Sequence, residues 1–330
     1  MLQNPVKNAK ISVITTVYNG EKFLAQTIES ILNQSYKNFE YIIIDDASKD
    51  SSVEIIKKFK QKDPRIKFFK NPKNQGITKS LNSALKKAKG EYIAVIDHDD
   101  VAQKERLQTE ADFLNQNPDI FLVGTWSKYI NQNGEVKSYF KPKLDHKTLK
   151  KKLLTLNPIF HPSIMFRNQG DLFYREKIFF CHDLDFCQRL VTDGKKLANI
   201  PQFLTNYRIY DKQTSMKNLI HQKLFAQKSN EFYKQRLKNK KDNYAEFDPS
   251  EIFKLNTDNL DSEFILRNHI SLNFRQNKFQ KTRKLCRKHF KQFGFSSRIL
   301  IFYLTSFLPK KLIRFLRKKA GYLIKLKLQG

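Results

Sequence analysis

The sequence is poor in the residues that mark several protein classes. Its 330 residues include three cysteines, Cys181, Cys187 and Cys286, too few for a disulfide framework and without zinc-site spacing. Ten glycines and ten prolines exclude a collagen-like or low-complexity chain. No uncharged apolar run approaches the roughly 18 residues of a spanning helix, and the N-terminal residues contain no apolar segment typical of a secretory signal. We therefore expect reduced thiols in a cytoplasmic protein without a spanning helix.

Acidic residues are also scarce, and unevenly so. The chain has 62 Lys and Arg against 32 Asp and Glu, a net charge of +30. No acidic residue follows Glu263, and 18 Lys and Arg lie between Arg267 and Lys327. This asymmetry indicates a polyanionic partner, either a membrane surface or nucleic acid. The alternative is a general lysine bias in the source proteome, which explains many lysines but not the missing carboxylates.

Four short apolar runs alternate with helical patterns over the first hundred residues. The runs are continuous, as in strands buried on both faces, and cover residues 11–17, 41–44, 66–69 and 92–96. Between them apolar residues recur at helical spacing, and Gly90 is expected at the C′ position of the third helix. The alternation predicts an α/β fold with a Rossmann-like, mostly parallel sheet flanked by helices.

Polar and acidic residues follow the predicted strands at the edge where parallel sheets bind ligands. They include Thr16, Tyr18, Asp45, Asp46, Asp97, His98, Asp99 and Asp100. No glycine-rich phosphate loop follows the first strand, so a diphosphate would need a metal bridge, and carboxylates suit Mg²⁺ or Mn²⁺. Tyr18 could stack on a nucleobase. The alternatives are a solvated acidic loop, a turn or helix cap at Asp46, and an ordinary loop tyrosine.

The rest of the chain is less regular and then becomes helical and basic. Residues 121–124 predict a short strand, and the segment 157–163 precedes the apolar residues 164–166. Asp183 opens a predicted helix, where a carboxylate could act as a general base or only interact with the helix dipole. Residues 299–308 are apolar and end at Pro309, and the residues beyond form a predicted basic amphipathic helix. We expect two domains, a ligand-binding domain of residues 1–215 and a helical, basic, membrane-associating extension of residues 216–330.

Several motifs together resemble family 2 glycosyltransferases, in the right order and spacing. They lie at residues 11–20, 28–35, 44–48, 74–76 with Asn82, 90–93 leading to 97–100, 161–163, and 183–185 with Arg189 and Leu190. The resemblance spans roughly residues 9–210. It implies a GT-A fold, a nucleotide-sugar donor, a divalent metal ion (Mn²⁺ or Mg²⁺), and inversion at the anomeric carbon.

The resemblance also implies roles for five residues that would bind the donor and the metal. Thr16 and Tyr18 lie where the family contacts the nucleobase, and Asp46 matches the carboxylate that binds the base. Asp97 matches the ribose-side Asp of the D-x-D motif, and Asp99 matches the ligand of the metal that bridges the diphosphate.

Asp183 matches the family's catalytic base, but the surrounding motif departs from the family in two places. The residue before the base is His182 instead of Glu, and Tyr210 stands where many relatives carry His. The first departure keeps open a non-catalytic module that retained the fold, and the second puts a metal contact at residue 210 in doubt.

The predicted function is transfer of a hexose-type sugar, commonly from a UDP-sugar in this family, to a hydroxyl of a glycan or lipid-linked acceptor. Such a reaction would belong to cell-surface polysaccharide or lipopolysaccharide synthesis. The basic C-terminal helices predict peripheral attachment to the anionic inner face of the cell membrane. Nucleic-acid binding is the alternative that the net charge permits, although the sequence has no zinc-finger, RRM or helix-turn-helix pattern.

Overall fold

The computed structural model describes residues 10–142, 145–155, 157–210, 218–255, 263–275, 277–309 and 311–313. It divides into two compact units, Met1–Pro249 and Ser250–Gly330. The sequence analysis expected the boundary after residue 215, whereas the first compact unit continues to Pro249.

The first unit begins with the alternation that the apolar runs predict. Its elements are β1 (Ile11–Val17), α1 (Leu24–Leu32), β2 (Phe39–Asp45), α2 (Ser52–Lys62), β3 (Ile66–Lys70), α3 (Ile77–Lys87) and β4 (Tyr92–Val95). The strands lie parallel in the order β3-β2-β1-β4. The register places Ile14 of β1 between Ile42 and Val95, and all three side chains are buried. All four predicted strands are therefore confirmed. The expected burial on both faces holds for β1, β2 and β4 but is wrong for β3, because β3 lies at the edge of the sheet and most of its residues are exposed.

A second half-sheet continues from β4. Its elements are β5 (Val101–Ala102), α4 (Arg106–Gln116), β6 (Ile120–Ile130), β7 (Val136–Phe140), α5 (His146–Lys152), β8 (Met165–Arg167), α6 (His182–Thr192) and β9 (Lys196–Arg208). β8 lies antiparallel between β4 and β6, β9 runs parallel to β6, and β5 closes the far edge. β6 is much longer than the short strand that the sequence predicts. Gly124, which weakens the strand pattern, is required there because a Cβ would lie 2.6 Å from Asn199 Oδ1.

Helix α7 (Leu219–Asn239) explains where the first unit ends. It packs on α6 through polar bonds at its centre, where Gln188 Nε2 donates to Asn230 Oδ1 at 2.7 Å and Ser229 Oγ donates to Gln188 Oε1 at 2.7 Å. Arg236 Nε also donates to Thr192 Oγ1 at 2.7 Å. These contacts place the first basic helix in the same unit as the sheet, so the unit extends to Pro249.

The expectation that Gly90 serves as a helix C′ residue is wrong. Helix α3 ends at Lys87, and Gly90 is not among the residues with positive φ. A Cβ at Gly90 would instead lie 2.5 Å from Ser12 N and 2.7 Å from the carbonyl carbon of Ile11. Glycine is therefore needed because the chain entering β4 touches the backbone of β1.

The second unit contains α8 (Ser250–Phe253), α9 (Glu263–Arg275), α10 (Phe279–Phe293) and α11 (Ser297–Thr305). Its small core consists of Leu266, Ile270, Leu285, Cys286 and Ile299. The helical, basic character expected of this region is present in the described helices. The amphipathic helix expected beyond Pro309 falls almost wholly outside the described residues. Within the described part of the chain, no helix combines the length and the apolar character needed to cross a bilayer.

Candidate active site

Three carboxylates converge where β4 ends at the carboxyl edge of the parallel strands. Asp97, Asp99 and Asp100 each place an oxygen atom within 4.8 Å of the other two. We call these residues the acidic cluster. Asp99 and Asp100 are buried, and Asp97 is half-buried.

Burial and mutual repulsion make the acidic cluster suitable for a cation. Burial, followed by the charges of Asp99 and Asp183, raises the pKa of Asp97 to about 7. Burial, followed by the charges of Asp99 and Asp97, raises the pKa of Asp100 well above its usual range. Asp100 Oδ2 is buried without a hydrogen-bond partner among the described residues. A divalent cation would offset the repulsion between the carboxylates and be coordinated by Asp100 Oδ2. The residues therefore fit Mg²⁺ or Mn²⁺.

The end of β9 supports the acidic cluster from the opposite side. The Arg208 backbone N–H donates to Asp100 Oδ1 at 2.9 Å, and Arg208 Nε donates to the Asp99 carbonyl oxygen at 3.0 Å. The Tyr210 hydroxyl donates to the Asp99 carboxylate, and burial and that carboxylate raise the tyrosine's pKa. Tyr210, which departs from the family pattern, therefore touches the acidic cluster through a hydroxyl.

Asp183 lies in the first turn of α6, close enough for its charge to raise the pKa of Asp97. Its Oδ2 accepts a hydrogen bond from Asn157 Nδ2 at 2.8 Å, and the residue is half-buried. Because an amide holds one oxygen, the orientation of the carboxylate is fixed while its other oxygen remains an acceptor.

His182 packs among rings below Asp183. Its ring centroid lies 5.0 Å from that of His161, at 90°, and 5.5 Å from that of Tyr174. His161 Nε2 in turn lies 2.9 Å from the Tyr174 hydroxyl oxygen. Burial lowers the pKa of His182 and brings that of His161 to about 3. Both imidazoles are therefore neutral at pH 7, and the residue that replaces the family's Glu carries no charge there.

The loop between β1 and α1 borders a cavity of about 600 Å³ that also reaches the acidic cluster's loop. Its lining includes Tyr18, Lys22, Lys49, His98 and Tyr210. Tyr18 is 44% exposed, so its ring is available to a ligand. A Cβ at residue 20 would lie 2.6 Å from His98 Cδ2, so a larger residue would displace the His98 ring from its position against this loop.

Asp46 organises the neighbouring loop. Its Oδ1 accepts from Asn71 Nδ2 at 2.7 Å and from the Gln75 N–H at 2.9 Å, and its Oδ2 accepts from the Gly76 N–H at 2.8 Å. The carboxylate is 4% exposed. Asp46 thus fixes the start of α3. The turn or helix cap that the sequence offered as an alternative is similar to this role, but the helix concerned lies about 30 residues further along the chain.

The structure brings some of the sequence-predicted residues together. Asp97, Asp99 and Asp183 share one electrostatic environment. Among the predicted donor-binding residues, Tyr18 lines the described cavity, whereas Thr16 lies half-buried within β1, opposite Ile44.

Sequence reasoning missed the supporting residues Asn157 and Arg106. Arg106 is 1% exposed and pairs with Glu110 Oε1 at 3.0 Å. It also donates to the carbonyl oxygens of Val95 and Pro162, both at 2.8 Å, which ties the end of β4 to the 161–163 turn. Neither residue belongs to a local motif, and the only sequence signal was the 157–163 segment around Asn157.

Comparison with known proteins identifies relatives of this chain. The model of the family described as Glycosyl transferase family 2 matches residues 12–173. An uncharacterized glycosyltransferase of Methanocaldococcus jannaschii is 38% identical over 221 residues, covering 66% of this chain and 76% of that protein. The O-antigen biosynthesis glycosyltransferase WbnJ of Escherichia coli is 34% identical over 234 residues, covering 68% of this chain and 90% of that protein.

Solved structures share the fold at lower identity. S. aureus TarS 1-349 in complex with UDP-GlcNAc superimposes with a TM-score of 0.54 at 18% identity, covering 90% of each chain. The mannosyltransferase PcManGT of Pyrobaculum calidifontis, in complex with GDP-Man and Mn²⁺, gives a TM-score of 0.56 at 15% identity, covering 99% of this chain and 90% of that one. The predicted GT-A fold is confirmed by these matches.

Proposed function

Because the chain belongs to glycosyl transferase family 2 and is a glycosyltransferase, we propose that it moves a hexose-type sugar from a UDP-sugar to an acceptor hydroxyl. The observation that carries the proposal is the acidic cluster beside Asp183, next to an open cavity. UDP-GlcNAc in the structure of TarS supports the choice of a uridine nucleotide.

The donor lies along the carboxyl edge of β1, β2 and β4 in this proposal. Tyr18 stacks on the nucleobase, since its exposed ring borders the cavity. Thr16 and Asp46 lie on the base side, and Asp97 contacts the ribose. Asp46 contributes chiefly by holding the loop at Gln75 and Gly76, because its oxygens already accept three hydrogen bonds.

Asp99 would hold the metal ion, assisted by the other carboxylates of the acidic cluster. The chain's oxygen ligands fit Mn²⁺ or Mg²⁺, and Mn²⁺ in the structure of PcManGT supports the former. When bound, the ion would supply Lewis-acid stabilisation of the negative charge on the departing diphosphate. Arg208 keeps Asp99 and Asp100 in place, and Tyr210 orients the Asp99 carboxylate.

Asp183 is the proposed general base. Asn157 fixes one carboxylate oxygen of Asp183. The other carboxylate oxygen takes the proton of the acceptor hydroxyl while the hydroxyl oxygen attacks the anomeric carbon. The bond from the anomeric carbon to the diphosphate breaks on the opposite face, so the configuration inverts without a covalent enzyme intermediate.

The acceptor in our proposal is a glycan or a lipid-linked glycan of cell-surface polysaccharide or lipopolysaccharide synthesis. The O-antigen assignment of WbnJ supports this class. We further propose a cytoplasmic enzyme, peripheral on the inner face of the membrane, with the basic second unit providing the attachment. The excess of Lys and Arg after Glu263 supports that attachment.

Donor binding and transfer by two variants test the proposal. With a panel of UDP-, GDP-, dTDP- and CMP-sugars, we expect one UDP-sugar to bind in the presence of Mn²⁺ and Asp99→Asn to lose that binding. Asp183→Asn should bind the donor but not transfer it. Asp112→Asn, at an exposed carboxylate on α4, is the matched control. Normal transfer by Asp183→Asn, or no donor bound by folded protein, would contradict the proposal.

A further inference from the structure

Helix α11 and the residues that flank it expose large apolar side chains. Ile301 and Leu304 on α11 are 62% and 57% exposed, and Phe295 and Phe307, just outside the helix, are 77% and 57% exposed. We call these four residues the α11 face. Ile301 and Leu304 share one side of the helix because they are three residues apart. Water-soluble surfaces rarely gather several such side chains without a partner for them.

The neighbouring charges are positive. The Arg283 guanidinium lies 4.6 Å from the ring centroid of Phe307 and donates to the Ser306 carbonyl oxygen at 2.7 Å. Arg287, exposed on the same helix α10, donates to the Tyr303 hydroxyl at 3.2 Å. Arg298 is exposed on α11 itself. The Arg283 contact places one guanidinium group on Phe307 of the α11 face, and Arg287 and Arg298 add exposed cations on α10 and α11.

The sequences of α10 and α11 contain no carboxylates to balance these cations. The last acidic residue is Glu263, and it is engaged by Arg267 at 2.6 Å and His289 at 3.2 Å. Exposed aliphatic and phenylalanine side chains next to cations match a bilayer interface, where acyl chains lie beneath anionic headgroups.

We propose that the α11 face inserts into the interfacial region of an anionic lipid bilayer, with the arginines of α10 and α11 on the lipid phosphates. The choice of a membrane as the partner rests on the proposed function. The apolar residues and arginines that would contact it come from the structure alone. It assigns the attachment to four apolar residues and their adjacent arginines, in addition to the overall positive charge. An anchor on this unit would keep a lipid-linked acceptor near the enzyme.

Vesicle binding by the full chain tests the inference. We expect the protein to co-sediment with vesicles of phosphatidylcholine and phosphatidylglycerol, and less with phosphatidylcholine alone. Ile301→Asp with Leu304→Asp should weaken binding at least about tenfold, because charged side chains do not enter the interface. Leu154→Asp with Leu237→Asp, at exposed positions of the first unit, makes the same charge change and should bind like the wild type.

A second variant separates the contribution of charge from that of the helix fold. Arg287→Gln with Arg298→Gln leaves the apolar residues intact and should reduce the preference for phosphatidylglycerol about fivefold or more, with unchanged circular dichroism. UDP-sugar binding, measured on the same variants without vesicles, should stay at the wild-type level. A variant that loses vesicle binding but keeps donor binding would show that its residues serve the anchor. A wild-type protein that binds no donor would contradict the proposed function and leave the vesicle result to be judged separately.

Three outcomes would overturn the inference. The first is equal vesicle binding by the wild type and the Ile301→Asp, Leu304→Asp variant. The second is a wild-type dimer in light scattering that this variant converts to monomer, which would make the α11 face a contact between copies. The third is salt-sensitive binding of random duplex DNA by the wild type together with no binding to anionic vesicles.

Discussion

Replacing Arg106 with Met tests the contacts that hold the end of β4. The guanidinium is 1% exposed, pairs with Glu110 at 3.0 Å and donates to Val95 and Pro162 carbonyl oxygens at 2.8 Å. Methionine fills similar space without a donor. The substitution therefore leaves a buried carboxylate and two buried carbonyl oxygens without their partner.

The size of the effect follows from these contacts. Removing one member of a buried ion pair costs about 3–5 kcal/mol, because the other charge stays buried. Removing Glu110 as well, in Arg106→Met with Glu110→Leu, eliminates that charge and leaves only the carbonyl groups unpaired, at about 1–3 kcal/mol. We expect the double variant to be more stable than Arg106→Met by about 2 kcal/mol.

Urea unfolding followed by tryptophan fluorescence measures these changes. Trp126 is the only tryptophan and lies in β6, so its signal reports the first unit. Lys104→Met, at an exposed position, serves as the control and should stay within about 0.5 kcal/mol of the wild type. If Arg106→Met lowered the free energy of unfolding by less than about 1 kcal/mol, with an unchanged dependence of that free energy on urea concentration, the reasoning would be refuted.

The remaining predictions concern three other residues. Burial raises the pKa of Glu110 to about 7, so the folded chain keeps a proton that the unfolded chain releases from pH ~4.5 upward. The free energy of unfolding should therefore fall as pH rises from about 4.5 to about 7, by up to about 1.4 kcal/mol per pH unit. Glu110→Gln should remove this pH dependence, and parallel stability profiles of the wild type and Glu110→Gln would contradict the reasoning. Gly90→Ala should lower stability by at least about 1–3 kcal/mol because its Cβ would meet the Ser12 backbone N at 2.5 Å, and a thermal midpoint equal to that of the wild type would exclude this clash. Tyr210→Phe, which removes the hydroxyl that bonds Asp99, should weaken Mn²⁺ binding by about tenfold in titrations followed by electron paramagnetic resonance, whereas Tyr139→Phe at an exposed site should not; equal affinities would show that the hydroxyl does not position Asp99.

The sequence predicted the half of the fold whose signals are local. The four parallel strands are short apolar runs, and β1, β2 and β4 are recognisable because both faces of each strand are buried. β3 lies at the edge of the sheet, where of its five residues only Ile66 is buried, so its run does not reflect burial on both faces. The long β6 was underestimated because Gly124 and the polar residues after it interrupt the pattern. The role of Gly90 depends on the approach of β1, which is distant in sequence, and so no local pattern could reveal it.

The candidate site divides in the same way. The acidic cluster is visible in the sequence because its three carboxylates occupy four consecutive positions after a strand. Asn157, Arg106 and Arg208 were not assigned, since each acts through a bond to a residue 26 or more positions away or to a backbone carbonyl. Tyr210 stood out only as a departure from a family pattern, and its bond to Asp99 became visible with the fold.

The hydrogen bonds of Asp46 have a thermodynamic consequence for any ligand that binds beside them. The loop at Gln75 and Gly76 is fixed by the protein's own carboxylate, so it does not have to be ordered when a ligand arrives. Binding to a wall that is already rigid avoids the conformational entropy that a mobile loop would lose. Replacing Asp46 with Ala would transfer that entropic cost to the binding step, and calorimetry would record it as a less favourable entropy of association.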